Sequence, residues 1–183
     1  MKIEGNYTIH ASRDRVFALL VGEDVLRRCV PGCRRLVREG EDRFAATLEI
    51  GLGSVQGTYE GIVALRKKFP PEQLEMQIDG KGKLGFVRGT GSVRLEKVGE
   101  PELTRVFYHG DLQIGGSIAG VGQRMIQGAA KMIAGQFFAA IEAEAKAAQS
   151  EASAPVKHGP VRTFLRWLRS TLRGLFSRTA RSP

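Results

Sequence analysis

The sequence predicts an α+β fold in which one long antiparallel sheet carries its helices on a single face. Two observations support this prediction. Between residues 2 and 115, apolar and polar residues alternate in segments separated by short turns, and a long segment with helical apolar spacing follows. Short turns join antiparallel neighbours, because parallel strands need long crossover connections. A sheet of this length curls, so the final helix is expected to lie across its concave side.

The predicted elements follow one another in a simple order. A first strand covers residues 2–10, and Ser12 is placed to cap a short helix that Gly22 ends. A second short helix from Glu23 to Cys29 stops at Pro31. Six more strands are expected at 33–40, 43–52, 54–68, 73–80, 84–98 and 103–115, and Gly115-Gly116-Ser117 then opens a helix that runs to about Ala147.

The net charge of +9 is concentrated at the end of the 183-residue chain. Residues 1–150 hold 21 Lys and Arg against 18 Asp and Glu, whereas residues 151–183 hold seven against one. Because the body is nearly balanced, the overall basicity does not predict a nucleic-acid partner. No apolar run approaches the ~20 residues that cross a bilayer, and the first residues lack the apolar stretch of a signal peptide. We therefore expect a cytoplasmic protein.

No motif of a catalytic or metal site occurs in the sequence. Cys29 and Cys33 have no further ligands at zinc spacing, so they are interpreted as structural thiols that flank a turn. A disulfide between them is the alternative, which a reducing compartment disfavours. Asp79 and Asp111 are isolated carboxylates, and His109 falls on the outward side of its strand. We expect no catalytic residue and no metal.

The apolar face of the strands carries an unusual set of glycines: Gly57, Gly61, Gly89, Gly91 and Gly110. A glycine inside a strand is unfavourable by itself. One explanation is that the sheet bends sharply there or that the helix packs close to the backbone. The other is that the missing side chains leave a hollow between sheet and helix, which would suit an apolar ligand. The alternation alone leaves both open.

Candidate cavity residues are the apolar and aromatic side chains of this face and of the helices. They are Phe17, Leu48, Val55, Tyr59, Val63, Met76, Val93, Tyr108, Leu112, Met125, Ile133 and Phe137. Tyr59 or Tyr108 would donate a hydrogen bond to a ligand carbonyl, although ordinary core tyrosines give the same pattern. Met125 and Met132 likewise fit either a flexible cavity wall or a plain core.

Residues 161–178 predict a basic amphipathic helix. At 100° per residue, one face collects apolar side chains, arginines form a stripe beside it, and Trp167 lies on the other flank. The residues expected to bind are Arg162, Phe164, Leu165, Arg166, Trp167, Leu168, Arg169, Leu172, Arg173, Leu175 and Phe176. This pattern is typical of a helix lying on an anionic membrane surface, with a protein partner, self-docking or nucleic acid as alternatives. Residues 148–160 predict a flexible linker between this helix and a domain at 1–147.

Several short motifs occur together along the first 146 residues. They are Met-Lys-Ile-Glu-Gly at 1–5, Arg-Cys-Val-Pro-Gly-Cys at 28–33, Val-Gln-Gly-Thr-Tyr-Glu-Gly at 55–61, Gly-Lys-Gly at 80–82, Gly-Phe at 85–86, Gly-Thr-Gly at 89–91, Val-Gly-Gln-Arg at 121–124 and Gly-Ala-Ala-Lys at 128–131. Their combination resembles the family of the G subunit of carbon monoxide dehydrogenase. The resemblance implies a START-like helix-grip fold, which is a curved seven-stranded antiparallel sheet around a long C-terminal helix with an apolar cavity between them.

The resemblance also implies a function. Members look like non-catalytic accessory proteins that recruit a molybdenum hydroxylase, such as carbon monoxide dehydrogenase, to the inner face of the cytoplasmic membrane. A cavity suggests that menaquinone or ubiquinone is carried there as an electron acceptor, with no covalently bound cofactor. The alternatives are a cyclase- or aromatase-like enzyme and a general lipid-binding or transfer protein. The enzyme would need an acid or base facing the cavity, where the strand alternation offers only tyrosines.

Overall fold

The computed structural model of the chain describes residues 1–52, 55–99 and 103–153, without the side chains of residues 52, 55 and 148–153. The predicted tail helix at 161–178 lies outside these residues, as does the predicted linker from residue 154 onward. Residues Met1–Ser150 form one compact unit, and every site discussed below lies within it.

The described chain forms one sheet, three α-helices and a short 3-10 helix. In chain order the elements are β1 (Lys2–Ile9), α1 (Arg13–Val21), α2 (Glu23–Cys29), β2 (Cys33–Gly40), β3 (Arg43–Leu52), β4 (Val55–Phe69), β5 (Gln73–Gly82), β6 (Gly85–Val98), β7 (Leu103–Gly115), the 3-10 helix (Ser117–Val121) and α3 (Gln123–Ser153). All seven strands pair antiparallel in the order β1-β7-β6-β5-β4-β3-β2. The predicted α+β helix-grip fold is confirmed.

Local sequence signals set most element boundaries to within two residues. The Ser12 hydroxyl accepts a hydrogen bond from the Arg15 amide at 3.4 Å and so caps α1, as predicted. The predicted start of the long helix at Ser117 is wrong. Gly116 and Gly122 take φ values of +89° and +95°, which turn the chain before and after the 3-10 helix, so α3 begins only at Gln123.

The end of α3 also differs from the prediction. The helix continues to Ser153, so the first six residues of the predicted linker are helical. Alanine and glutamate dominate this stretch, and both are good helix formers. The small, polar composition that predicted a linker is therefore equally compatible with a helix.

Two apolar clusters lie between the sheet and α3. The first, which we call the closed end, centres on Ile9, Val16, Val106 and Ile141, all fully buried, together with Phe138 and neighbouring side chains. The second, which we call the Tyr59 end, comprises Tyr59, Ile118, Ile50, Leu84, Ile114, Val121 and Ala129. Because Ala129 belongs to one cluster and Ile141 to the other, α3 runs from the Tyr59 end to the closed end.

Polar contacts hold α3 at the closed end. The carboxylate of Glu142 accepts a hydrogen bond from the Tyr7 hydroxyl at 3.2 Å and lies 2.6 Å from His10 Nδ1 and 2.9 Å from Lys146 Nζ. The hydrogen bond from Lys146 lowers the pKa of Glu142, with help from His10 and Tyr7, although burial opposes the shift. The C-terminal half of α3 is thus anchored by charge as well as by packing.

Candidate functional site: an apolar cavity beneath the long helix

A cavity of about 420 Å³ lies between the two clusters, beneath the middle of α3. Its volume falls within the range of roughly 300–1,000 Å³ that is usual for small-molecule sites. Successive strands build its floor, because residues two apart on one strand face the same side of a sheet. The floor includes Val63 of β4, Met76 and Ile78 of β5, Val93 of β6 and Leu112 of β7.

The roof of the cavity is one face of α3. Ala130, Ile133, Ala134 and Phe137 line it, and their spacing of three and four residues places them on one side of a helix. At the closed end the cavity stops against Phe138, whose ring stacks on that of Tyr108 with centroids 5.4 Å apart. Small residues thus cover the space and an aromatic cluster ends it.

The five inward glycines divide between the two explanations that the sequence left open. A Cβ built at Gly61 would lie 2.7 Å from the Asp79 carbonyl oxygen, and one at Gly89 would lie 2.0 Å from that of Asp111. These two glycines therefore permit a close approach of neighbouring strands. Gly91 and Gly110, which pair across β6 and β7, line the cavity instead. A Cβ at Gly110 would meet no atom closer than 3.8 Å.

Seven of the twelve predicted cavity residues line the cavity: Val63, Met76, Val93, Tyr108, Leu112, Ile133 and Phe137. Phe17 packs in the closed-end core, and Tyr59 belongs to the Tyr59 end. Leu48 pairs with Tyr59 in the register and lies beyond the cavity. The side chain of Val55 is outside the described residues. The alternation identified the correct face, but position along each strand decided which residues reach the cavity.

The placement of Met125 in the cavity is wrong. Its side chain is 57% exposed and that of Met132 is 53% exposed, so both face away from the sheet. The residues that follow them, Ile126 and Ile133, are the ones that face inward. Consecutive helical residues are rotated by about 100°, and two adjacent apolar residues leave the inward one undetermined.

Sequence analysis missed the wall that the first half of the chain contributes. Leu20 of α1, Leu26 of α2 and the Val30-Pro31 turn line the cavity, as do Leu36 and Phe44. A weak signal was present, because Leu26 and Val30 are four residues apart and share one side of α2. A seven-residue helix is too short for such a pattern to show which structure it packs against.

Polar and reactive groups around the cavity are few. His109 borders it, but the ring is half exposed and lies 3.7 Å from Glu4 on the neighbouring strand. Both cysteines are free, and burial raises the pKa of the Cys29 and Cys33 thiols, which makes them poor nucleophiles. Among the described residues, no group of three His, Cys, Asp or Glu side chains is placed to hold a metal.

A larger depression of about 570 Å³ lies on the opposite, outer face of the sheet. Its rim is charged, with Arg35, Arg43, Arg66 and Lys81 facing Glu60. Water enters such a polar surface freely, so it does not suit an apolar ligand. In the part of the chain that the structure describes, no helix is long and apolar enough to cross a membrane.

Comparisons with known proteins agree with this architecture. Residues 5–146 match the CoxG family, which is named for the G subunit of carbon monoxide dehydrogenase. A conserved protein from Geobacillus kaustophilus is 31% identical, with a TM-score of 0.77 over 80% of this chain and 95% of its own. No curated protein matches the sequence.

Two more distant structures are similar in fold alone. A START superfamily protein from Mycobacterium smegmatis is 12% identical with a TM-score of 0.65, covering 79% of this chain and 97% of its own. The Zhui aromatase/cyclase from Streptomyces sp. R1128 is 14% identical with a TM-score of 0.60, covering 80% and 93%. The fold is therefore START-like.

Proposed function

We propose, because the chain belongs to the CoxG family of carbon monoxide dehydrogenase, that it is a non-catalytic accessory protein that carries an apolar ligand in the cavity beneath α3. The family name supports association with a molybdenum hydroxylase of the carbon monoxide dehydrogenase type. The ligand is a quinone, menaquinone or ubiquinone, which the protein presents to the enzyme as electron acceptor.

The observation that carries this proposal is the cavity itself. Aliphatic and aromatic side chains line it almost throughout, and the walls come from β2–β7, α1, α2 and α3 together. A protein that needed only a packed core would gain stability by filling about 420 Å³ with side chains. Glycine at positions 91 and 110, where larger residues would fill the space, supports a role for the space.

The absence of an acid–base pair at the cavity favours a carrier over an enzyme of the aromatase or cyclase type. General acid–base catalysis requires a titratable group within hydrogen-bond reach of the reacting atom. Among the described residues, the groups that border the cavity and could supply one are Tyr108 and the half-exposed His109. A general lipid-binding or transfer role uses the same cavity, and the identity of the bound molecule separates the two carriers.

The membrane part of the proposal depends on the tail. Residues 161–178 carry an apolar face with arginines beside it and Trp167 at its flank, and each basic residue near an anionic surface contributes on the order of 1 kcal/mol. Such a helix would hold the protein on the inner face of the cytoplasmic membrane. The cavity would then be close to the bilayer in which quinones dissolve.

Organic extraction of the purified full chain, followed by mass spectrometry, tests the cargo. We expect a quinone or another isoprenoid lipid in the wild-type protein. The variant Gly110→Leu, which places a side chain in the cavity without a backbone clash, should carry at least tenfold less. Gln113→Leu adds the same side chain to the exposed face of β7 and should carry the wild-type amount. If Gly110→Leu retains its cargo, or if wild type stays empty after incubation with quinone-containing vesicles, the carrier role is wrong.

Liposome co-sedimentation tests the membrane address. We expect the full chain to bind vesicles of phosphatidylglycerol and phosphatidylcholine, and to bind less as salt is raised. A truncation after Ser153, where the described helix ends, should remain in the supernatant. Equal partitioning of the two proteins would remove the tail from the proposal and leave the cavity unaffected.

A further inference from the structure

The Tyr59 hydroxyl is a buried donor without a partner. Tyr59 is 7% exposed, and its hydroxyl oxygen makes no hydrogen bond with any described residue. The side chains around it are aliphatic, with Ile118, Ile114 and Val121 among them. A buried hydroxyl loses its bonds to water and gains nothing in return, so native proteins rarely retain one. Phenylalanine would fill the same place without this cost.

The sheet register places this hydroxyl's residue one row beyond the cavity. Across β3, β4 and β5, the row Phe44–Val63–Ile78 lines the cavity, and the row Leu48–Tyr59–Gly82 belongs to the Tyr59 end. Between them runs the row Ala46–Gly61–Gly80, which carries no side chain larger than a methyl group. A Cβ built at Gly80 would meet no atom closer than 3.9 Å. The space above this row is therefore not filled by the strands that form it.

The remaining polar atoms at the cavity point elsewhere. Tyr108 packs its ring on Phe138 and places its hydroxyl against the backbone of β1, where a Cβ at Gly5 would collide with it. His109 is directed to Glu4. Tyr59 is thus the buried tyrosine whose donor is still free among the residues that the structure describes.

We propose that Tyr59 donates the hydrogen bond that fixes one oxygen acceptor of the cavity ligand. The ligand is then an apolar molecule with a carbonyl-type oxygen at one end, which passes over the Ala46–Gly61–Gly80 row while the apolar bulk stays beneath α3. This inference rests on the proposed carrier function and adds to it the orientation of the ligand and its requirement for an acceptor. The Tyr59 end is the polar terminus of the site.

Two probes of matched shape test the proposal. Menadione carries two carbonyl oxygens, whereas 2-methylnaphthalene has a similar bicyclic framework and none. With equilibrium dialysis on the full chain, we expect Tyr59→Phe to weaken menadione binding on the order of tenfold and to leave 2-methylnaphthalene unchanged, because only the first loses a buried hydrogen bond. Tyr7→Phe is the control, because it removes a tyrosine hydroxyl that is bonded to Glu142 at the closed end. It should change either affinity by less than about twofold.

The possible results separate this inference from the carrier function. If wild type binds both probes and Tyr59→Phe binds menadione equally well, the inference fails and the carrier function remains. An equal loss for both probes would show that Tyr59 acts through packing, which also overturns the inference. If wild type binds neither probe, both proposals fail.

Stability of the ligand-free protein gives a second readout. Removal of an unpartnered hydroxyl should leave the thermal unfolding midpoint of Tyr59→Phe equal to that of wild type or raise it. A lower midpoint would mean that the hydroxyl already has a structural partner, such as a buried water, and would contradict the proposal.

Discussion

The two halves of α3 lie on the same curved sheet but meet it in different ways. At the closed end, Phe138, Ile141 and Ala145 fill the space down to β1, β6, β7 and α1, and Glu142 lies among Tyr7, His10 and Lys146. In the other half, Ala130, Ile133 and Ala134 cover a cavity, and Met125 and Met132 are exposed on the far side. One end of the helix is bonded to the domain, and the other covers a space.

This difference shows that stability and ligand binding occupy separate parts of one helix. Interiors normally pack as densely as organic crystals, and an unfilled volume forgoes dispersion contacts. The closed end supplies the stability that allows the cavity half to remain unfilled. The comparison predicts that equivalent substitutions in the two halves have unequal effects.

The largest expected difference concerns two isoleucines of α3. Ile141→Ala removes a fully buried side chain and should destabilise the protein by about 2–5 kcal/mol. Ile133→Ala, in the cavity wall, should cost about 1 kcal/mol, because fewer atoms contact its side chain. Urea denaturation of both variants measures the two losses. Equal losses would mean that the cavity half is packed as tightly as the closed end.

A smaller effect is expected from the charge contacts of the closed end. Because the folded protein holds the pKa of Glu142 below its ordinary value of 4.5, this carboxylate contributes stability above about pH 4.5 and loses it as pH falls through the folded pKa. Glu142→Gln should lose about 1 kcal/mol at pH 7, and the gap to wild type should close toward pH 3.

Thermal unfolding between pH 3 and pH 7 measures this gap. Glu49→Gln is the control, because its carboxylate pairs with Arg34 on the exposed surface and such pairs contribute little. A gap for Glu142→Gln that stayed constant with pH would show that this carboxylate contributes by packing alone.

The smallest effect concerns α2, which lines the cavity with Leu26. Arg28 donates two hydrogen bonds to Glu144 of α3 at 2.7 and 2.8 Å, and so ties α2 to the closed end. Since the pair is exposed, Arg28→Ala should hardly change the global unfolding midpoint. Amide hydrogen exchange in Glu23–Cys29 should nevertheless become faster.

Arg27→Ala is the matched control for this measurement. Arg27 pairs only with Asp24 of the same helix among the described contacts, so its loss should not free α2 from α3. If both variants exchange at the same rate, the contact between Arg28 and Glu144 does not hold α2 in place.

Much of the site could be predicted from residue patterns. The alternation along β4–β7 identified the inward face, and with it Val63, Met76, Val93 and Leu112. It did not distinguish Tyr59 or Leu48, which share that face but lie beyond the cavity. Alternation reports which side of a sheet a residue occupies, and it contains no information about what lies above that position.

Local patterns were enough to establish the order of elements, the antiparallel sheet and its inward face, because turns and residue alternation act between near neighbours in the chain. The folded arrangement was needed to show that Gly61 and Gly89 let strands approach whereas Gly91 and Gly110 border a cavity, and that Met125 faces outward. It was also needed to show that the Tyr59 hydroxyl is left without a partner. These outcomes depend on the distance between sheet and helix, which contacts between residues far apart in the chain establish.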